Sequence, residues 1–447
     1  MKTTDPSRSL RWQIERTLAA CRDHGLPVNR EHMRSLFGRM LDYHSIVYWA
    51  EPVSDRPGAR SDAKNGAGFD ADVDQADISG LAECLERHCL FNVMNDAPIR
   101  AAEQATDLPT LAEDRWPTFA PWQLQDDAFP HTTYRAASVR TWALAEGIGT
   151  PSIRVPASLV WQRAFPDRFM PIVSSGTACH SDLDQLLSNA LFEVVERDGF
   201  MIAWGSRASP PGIAPDSAWL DDDVAGIADF CRHMGMTLAL RDLTTDLDMP
   251  TVLAMIVDDT GRRPALSVGA ATRATLASAA SKAAKEAYQC WCWMSDEHAR
   301  LTDSYEAVFR KLCMKPNMFH HPMLYGFPQA SALAAPLLQE PTRWTTENRG
   351  IAGSMSSESA ADAIFARCVD HLRQAGYAAY KVALTPNERV FGGLQVMRIL
   401  IPGLVPLGIG DRAYCMGHPR IHQVPETRGW PTQGDRRDAC PPPHPFP

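Results

Sequence analysis

The sequence predicts an α+β fold in which repeated strand/helix units contribute acidic helices to one central site. Two observations predict it: strand-like and helix-like segments alternate along the chain, and three of the helical segments carry acidic or amide side chains at one spacing. At roughly 150 residues per domain, 447 residues allow two or three compact units, or one large one. A composition of 45% hydrophobic and 22% charged residues excludes a disordered, collagen-like or coiled-coil protein. The net charge is −9 and Lys/Arg form no basic run, which argues against a nucleic-acid partner. No apolar stretch reaches the roughly 18 to 20 residues of a membrane helix. Met1–Arg16 lacks the apolar centre of a signal peptide. The expectation is a cytoplasmic protein with no membrane contact. Its 11 cysteines show no C-x-x-C pair, so they read as free thiols, mostly buried as small apolar residues. Cys179-His180 is noted as a candidate reactive pair.

In chain order, Ser7 is a candidate cap for a helix whose stripe is Leu10, Ile14, Leu18 and Cys21. A second helix is expected from Arg30 to about Tyr48, followed by a polar stretch, Pro52–Ala67. These features divide the chain into residues 1–60, a helical docking or dimerisation region, and residues 61–447, the main domain. Met236–Leu240 and Pro250–Val257 read as strands, as do Tyr377–Leu384 and Val396–Ile401 around the Thr385-Pro386-Asn387 turn. The tail, residues 425–447, is rich in Pro, Gly, Asp and Arg, which excludes helix and central strand.

The repeat carries the chemistry. One segment reads Gly68, Asp74-Gln75, Ser79, Glu83, Glu86-Arg87; a second reads Gly176, Asp184-Gln185, Asn189, Glu193, Glu196-Arg197. A third reads Gly269, Lys282, Glu286, Gln289. Each is expected to place a glycine-bearing loop before its helix. Positions i, i+4 and i+7 share one helix face, so the acids of each pair are able to grip one divalent ion. Hard oxygen ligands from several helices favour Mg²⁺, which usually arrives with nucleotide phosphates. Glycine loops and helix N-termini suit anionic oxygens, and Arg87, Arg197 and Arg207 are candidates to neutralise phosphate charge. An E-x-x-E-R run is also the pattern of a solvated face with internal ion pairs. Repetition, together with apolar neighbours at Leu81, Leu85, Leu191, Val194 and Val195, favours a shared, partly buried acidic site.

These residues also carry a resemblance. The run Ser174–Trp204, with Asn189-x-x-x-Glu193-x-x-Glu196-Arg197-Asp198, resembles the signature of the YcaO family. Ser79-x-x-x-Glu83-x-x-Glu86-Arg87 is similar to that family's S-x-x-x-E-x-x-E-R motif. Ile401-Pro402-Gly403-Leu404 resembles its V-P-G-L segment, and the terminal Pro443-His444-Pro445-Phe446-Pro447 is similar to the P-x-P-x-P ending of azoline-forming members.

The resemblance, to stand-alone azoline-forming cyclodehydratase subunits of thiazole/oxazole-modified ribosomal peptide biosynthesis, covers about residues 60–447. It implies ATP- and Mg²⁺-dependent conversion of Cys, Ser or Thr to thiazoline or oxazoline by phosphorylation of an amide-derived oxyanion. By resemblance, Glu83, Glu86, Glu193, Glu196 and Glu286 are metal or nucleotide contacts, with Ser79, Asn189, Gln289, Arg87 and Arg197 assisting at the nucleotide. Pro447, by the same token, carries a terminal carboxylate that orients substrate or moves a proton. Implied partners are a leader-binding subunit resembling a ubiquitin-activating enzyme, the precursor peptide and an FMN-dependent dehydrogenase, with a homodimer inside a larger complex. The chain departs from the family at Ala67, where many members have Lys, and at Trp291, where many have Arg; Lys64, Lys282 and Lys285 are the alternative cations. Alternative readings are thioamide or amidine formation, or a scaffold on this fold that has lost catalysis.

Overall fold

The computed structural model describes residues 9–33, 41–50, 65–94, 97–101, 107–116, 118–162, 165, 167, 169–170, 173–351, 361–387, 389–433 and 439–446. Helix α1 (Leu10–Asp23) begins at Ser9, whose side chain accepts from the Trp12 N–H; the expected cap, Ser7, lies outside the described residues. Among the described residues of 30–48, the expected helix is not formed. Strands β1 (Val28–Met33) and β2 (His44–Ala50) stand there instead. In β2, Ile46, Tyr48 and Ala50 are buried at every second position, a period of two that sets a strand against the helical reading. Both join β3 (Asn65–Asp70) in a three-stranded antiparallel sheet that crosses the expected boundary at residue 60. Most of the polar stretch Pro52–Ala67 lies outside the described residues, and its end is the start of β3.

The sheet is covered by α2 (Val73–Phe91). Then come β4 (Ile99–Ala101), α3 (Pro121–Leu124), β5 (Thr141–Ile148), β6 (Ile153–Pro156), β7 (Thr177–His180) and α4 (Leu183–Gly205). Next are β8 (Gly212–Ile213), α5 (Asp222–His233), β9 (Thr237–Asp242), β10 (Thr251–Val257), β11 (Leu266–Thr272) and α6 (Leu276–Arg300). The chain continues through α7 (Tyr305–Met314), α8 (His320–Tyr325), α9 (Ala335–Leu338), α10 (Ala361–Gln374), β12 (Ala379–Ala383), β13 (Gln395–Leu400) and α11 (Arg420–Arg428). A second sheet has the order β11-β10-β9-β8, and a third β4-β5-β12-β13-β7 with β6 on β5. The expected strand pairs around residues 240, 250, 380 and 396 are all present and antiparallel. The tail does contain helix: α11 runs through Pro425 to Arg428, held by the buried Ile421 and Val424 despite the missing proline N–H.

The three repeat helices start alike. Asp72, Asp182 and Thr275 are their N-caps, each accepting from backbone N–H groups of the first turn. Counted from these caps, Ser79, Asn189 and Lys282 fall seven residues on, and Glu83, Glu193 and Glu286 eleven on. The glycines need a correction. Gly66 and Gly269 lie within strands β3 and β11, not in loops, and Gly66 rather than Gly68 matches Gly176 and Gly269, each six residues before its cap. A Cβ on Gly66 would lie 2.2 Å from the Cys84 nitrogen and 2.3 Å from the Gly80 oxygen. One on Gly269 would lie 2.4 Å from the Ala287 nitrogen and 2.5 Å from the Ala283 oxygen, the same two helix positions. Strand and helix backbones therefore touch, which no larger residue permits.

Gly66→Ala and Gly269→Ala are expected to cost about 3 kcal/mol each in urea unfolding, from forced separation of strand and helix. Gly226→Ala in α5, where a Cβ meets nothing within 4 Å, should stabilise by about 1 kcal/mol.

Candidate active site

The contact between strand and helix aims each helix's polar face back at the strand it covers. Glu83 accepts from the Ala67 N–H at 2.7 Å and from Arg87 at 2.6 Å, while Arg87 also donates to the Asn65 carbonyl. Glu193, its counterpart, accepts from the Gly176 N–H at 3.2 Å and from Arg197 at 3.1 Å. Arg197 also pairs with Glu196. Glu86 reaches across to the second repeat and accepts from the Cys179 N–H of β7 at 2.7 Å, tying α2 to that strand. In the third repeat Glu286 pairs with Lys282 at 3.1 Å. Ser79 and Asn189 are exposed, and Ser79 accepts from Gln75. Gln289 lines a cavity of about 270 Å³ with Phe69, Ser281, Lys282, Lys285 and Glu286. Lys64 lies outside the described residues.

Three of these glutamates, Glu86, Glu193 and Glu196, respond to burial and to acidic neighbours. Burial raises Glu86 well above the usual carboxylate range, and Glu193 and Glu83 raise it further. Burial also raises Glu193, against the pull of Arg197. Glu196 is pushed up to about 8, first by burial, with Arg197 opposing and Glu286 and Glu193 adding. Burial disfavours the charge on Arg197, yet Glu196, Glu193 and Glu286 together raise its pKa. Three helices thus deliver acids to one low-dielectric region that holds more negative charge than its arginines balance.

Among the described residues, no three His, Cys, Asp or Glu stand close enough to enclose a metal ion by themselves. Mg²⁺ usually takes one or two carboxylates, with phosphates and water completing its shell. The residues present fit that demand. Glu83, Glu86, Glu193, Glu196 and Glu286 are hard oxygen donors, and burial together with neighbouring acids raises the pKa of Glu86 and Glu196, a charge imbalance that a divalent cation would offset.

The sequence reading missed Arg398. This guanidinium on β13 is 5% exposed, donates to the Val160 and Val173 carbonyls at 3.0 and 2.9 Å, and faces Glu193; burial lowers its pKa to about 10. A single arginine in the apolar run Val396–Ile401 was the available signal. Trp291 does not face the acids: it stacks with Tyr288 and meets the edge of Phe230 in an apolar core. Arg207 donates to the Leu333 carbonyl at 2.6 Å, beyond the end of α4. Cys179 is no nucleophile beside His180, because burial and Glu86 push its thiol well up and keep it protonated. All eleven cysteines are free, and all but Cys313 and Cys440 are buried.

The tail enters this region. Trp204 donates to the Pro442 carbonyl at 2.8 Å and Tyr325 to that of Pro443 at 2.5 Å. The His444 ring bonds the Gly408 carbonyl and stacks on His321, 4.0 Å between centroids, so His321 packs the tail. Phe446 is buried against Phe200, with the Arg197 guanidinium 4.1 Å from its ring centre. Pro447 lies outside the described residues.

A raised Glu196 carries its proton in the fold between the ordinary glutamate range near 4.5 and about 8, where the unfolded chain has released it. Stability of the metal-free protein should therefore fall as pH rises through that window, by at most about 1.4 kcal/mol per pH unit. Denaturant melts between pH 5 and 8 should show this slope, and Glu196→Gln should flatten it.

Residues 66–405 match a family model described as YcaO cyclodehydratase, ATP- and Mg²⁺-binding. An uncharacterised protein of Methanothermobacter thermautotrophicus is 30% identical over 131 residues, which is 28% of this chain and 34% of that protein. A heterocyclase solved in complex with substrate and cofactor superposes with a TM-score of 0.69 at 20% identity, over 97% of this chain and 57% of that one. YcaO of Methanopyrus kandleri, solved with AMPPCP and Mg²⁺, gives 0.62 at 17% identity, over 90% and 91% of the two chains. The E. coli microcin synthetase McbBCD complex with pro-MccB17 gives 0.58 at 13%, over 94% and 96%. The chain thus spans about a third of the curated relative and a little over half of the first heterocyclase. With the family model spanning most of its length, the chain belongs to the YcaO cyclodehydratase family.

Proposed function

We propose that this protein uses ATP and Mg²⁺ to cyclise Cys, Ser or Thr residues of a ribosomally made precursor peptide to thiazoline or oxazoline. One observation carries the reading: three repeat helices bring Glu83, Glu86, Glu193, Glu196 and Glu286 into mutual electrostatic reach, beside a proline-rich tail packed on one of those helices. Glu83, Glu86, Glu193, Glu196 and Glu286 would hold the metal and, through it, the nucleotide. The bound nucleotide and metal supply phosphoryl transfer to the oxyanion formed when a substrate side chain adds to the preceding carbonyl. Arg87 and Arg197 answer the phosphate charge, and Ser79, Asn189 and Gln289 orient the nucleotide by hydrogen bonds. The Pro447 carboxylate, one residue beyond the docked Phe446, is placed in this reading to accept the proton of the attacking side chain. A leader-binding subunit, the precursor peptide and a flavin-dependent dehydrogenase are the proposed partners.

Two measurements test this. Isothermal titration with AMPPCP should show Mg²⁺-dependent binding that weakens at least 100-fold in Glu193→Ala; binding unchanged by that substitution would overturn the acidic site. Deleting Phe446 and Pro447 should leave AMPPCP binding within a few-fold while abolishing ring formation, read as the loss of water from the peptide mass. Unchanged dehydration would remove the tail from the mechanism. Binding without dehydration of any peptide in the full complex would favour the scaffold reading.

A further inference from the structure

The helix that presents Glu193, Glu196 and Arg197 also buries a charged group, Asp198. Asp198 is fully buried, and Arg420 at the start of α11 grips it with two parallel bonds, Nε to Oδ1 at 2.9 Å and a terminal nitrogen to Oδ2 at 2.7 Å. The same guanidinium bonds both oxygens of Asp246, at 3.0 and 2.7 Å, and the Tyr377 hydroxyl at 2.7 Å. Asp198 also accepts from the Val405 N–H at 2.8 Å, which fastens the segment after Pro402-Gly403-Leu404 to α4. One buried arginine therefore joins α4, the loop after β9, the turn before β12 and α11.

The path of the chain beyond α11 gives this cluster a second consequence. After Gly429 the backbone pairs with the end of α4, Ser209 donating to the Pro431 carbonyl and Ala208 bridging Thr432. Residues 442–446 lie along α4 in the opposite sense, with Pro442 at Trp204 and Phe446 at Phe200, under Arg197. Arg420 thus sits at Asp198 and Phe446 at Arg197, adjacent residues of one helix.

We infer that Asp198 and Arg420 are positioning residues that fix the register of α11 on α4, and with it the docking of residues 440–446 beside the acidic site. The inference rests on the proposed function for its catalytic consequence and not for its structural one. The bonds of Asp198 and of Arg420 go to one another, to the Val405 N–H, to Asp246 and to Tyr377, and not to the five glutamates.

Arg420→Lys and Asp198→Asn test it, since each keeps the side-chain volume near constant while breaking the two-bond grip. The readout independent of activity is alkylation of Cys440, a partly exposed thiol bonded to the Arg412 carbonyl, followed by peptide mass mapping in the full-length chain. Expected are a Cys440 labelling rate raised at least tenfold with Cys89 and Cys231 still protected, AMPPCP affinity within threefold of wild type, and dehydration slowed at least tenfold. Tyr377→Phe, which removes one contact, should move labelling the same way by a smaller factor. Unchanged Cys440 labelling in the folded variants would overturn the inference, as would simultaneous labelling of the buried cysteines, which reports general loosening. Absence of dehydration in wild type would overturn the proposed function, while the labelling still decides the register.

Discussion

Contact between a strand backbone and a helix backbone, allowed by Gly66 and Gly269, is the constraint on which the acidic site depends. With no Cβ between them, the helix sits low enough on its strand for a glutamate eleven residues past the cap to face the strand's own N–H groups, as Glu83 faces Ala67. Gly176, at φ 79°, serves the second repeat differently: its turn presents the N–H that Glu193 accepts, and a Cβ there would lie 2.5 Å from the Ile399 carbonyl. Close strand-to-helix contact in the first and third repeats, and the Gly176 turn in the second, set helices from separate sheets toward one region.

That region is expensive to maintain without a ligand. Carboxylates removed from water and placed beside one another keep protons they would lose in solvent, and Arg197 is shared between two of them. The fold tolerates this because each acid retains hydrogen-bond donors from backbone or arginine. In the proposed function, a divalent cation with phosphate would replace those protons, and the charge that costs stability would then favour binding.

Helix α4 is where the two halves of the proposed chemistry meet. Its face toward β7 and β13 holds Glu193, its next turn holds Arg197 over Phe446, and Asp198 anchors the segment that ends there. Placement of the tail relies on buried partners spread through the chain, among them Tyr325, Gly408 and His321. Five prolines in the last eight residues restrict the unfolded chain and lower the entropy lost on docking.

The sequence by itself determined the acidic repeat, because an i, i+4, i+7 spacing is a local property of helices, and it located the four strands with clear apolar runs. It also carried the family signature in Asn189, Glu193, Glu196 and Arg197. It misread residues 30–48 as helix, where alternating burial at Ile46, Tyr48 and Ala50 exists only because the strand has a sheet to join. It paired Gly68 with the repeat, although Gly66 stands 17 residues before Glu83, as Gly176 and Gly269 stand before Glu193 and Glu286; both Gly66 and Gly68 lie against the α2 backbone. Arg398, Asp198 and Arg420 reach partners far along the chain: Val160 is 238 residues from Arg398, Val405 is 207 from Asp198, and Asp198 and Arg420 are 222 apart. Tertiary structure alone decided which charges are buried, which of them face one another, and where the tail comes to rest, because each depends on surfaces that do not exist until distant segments pack.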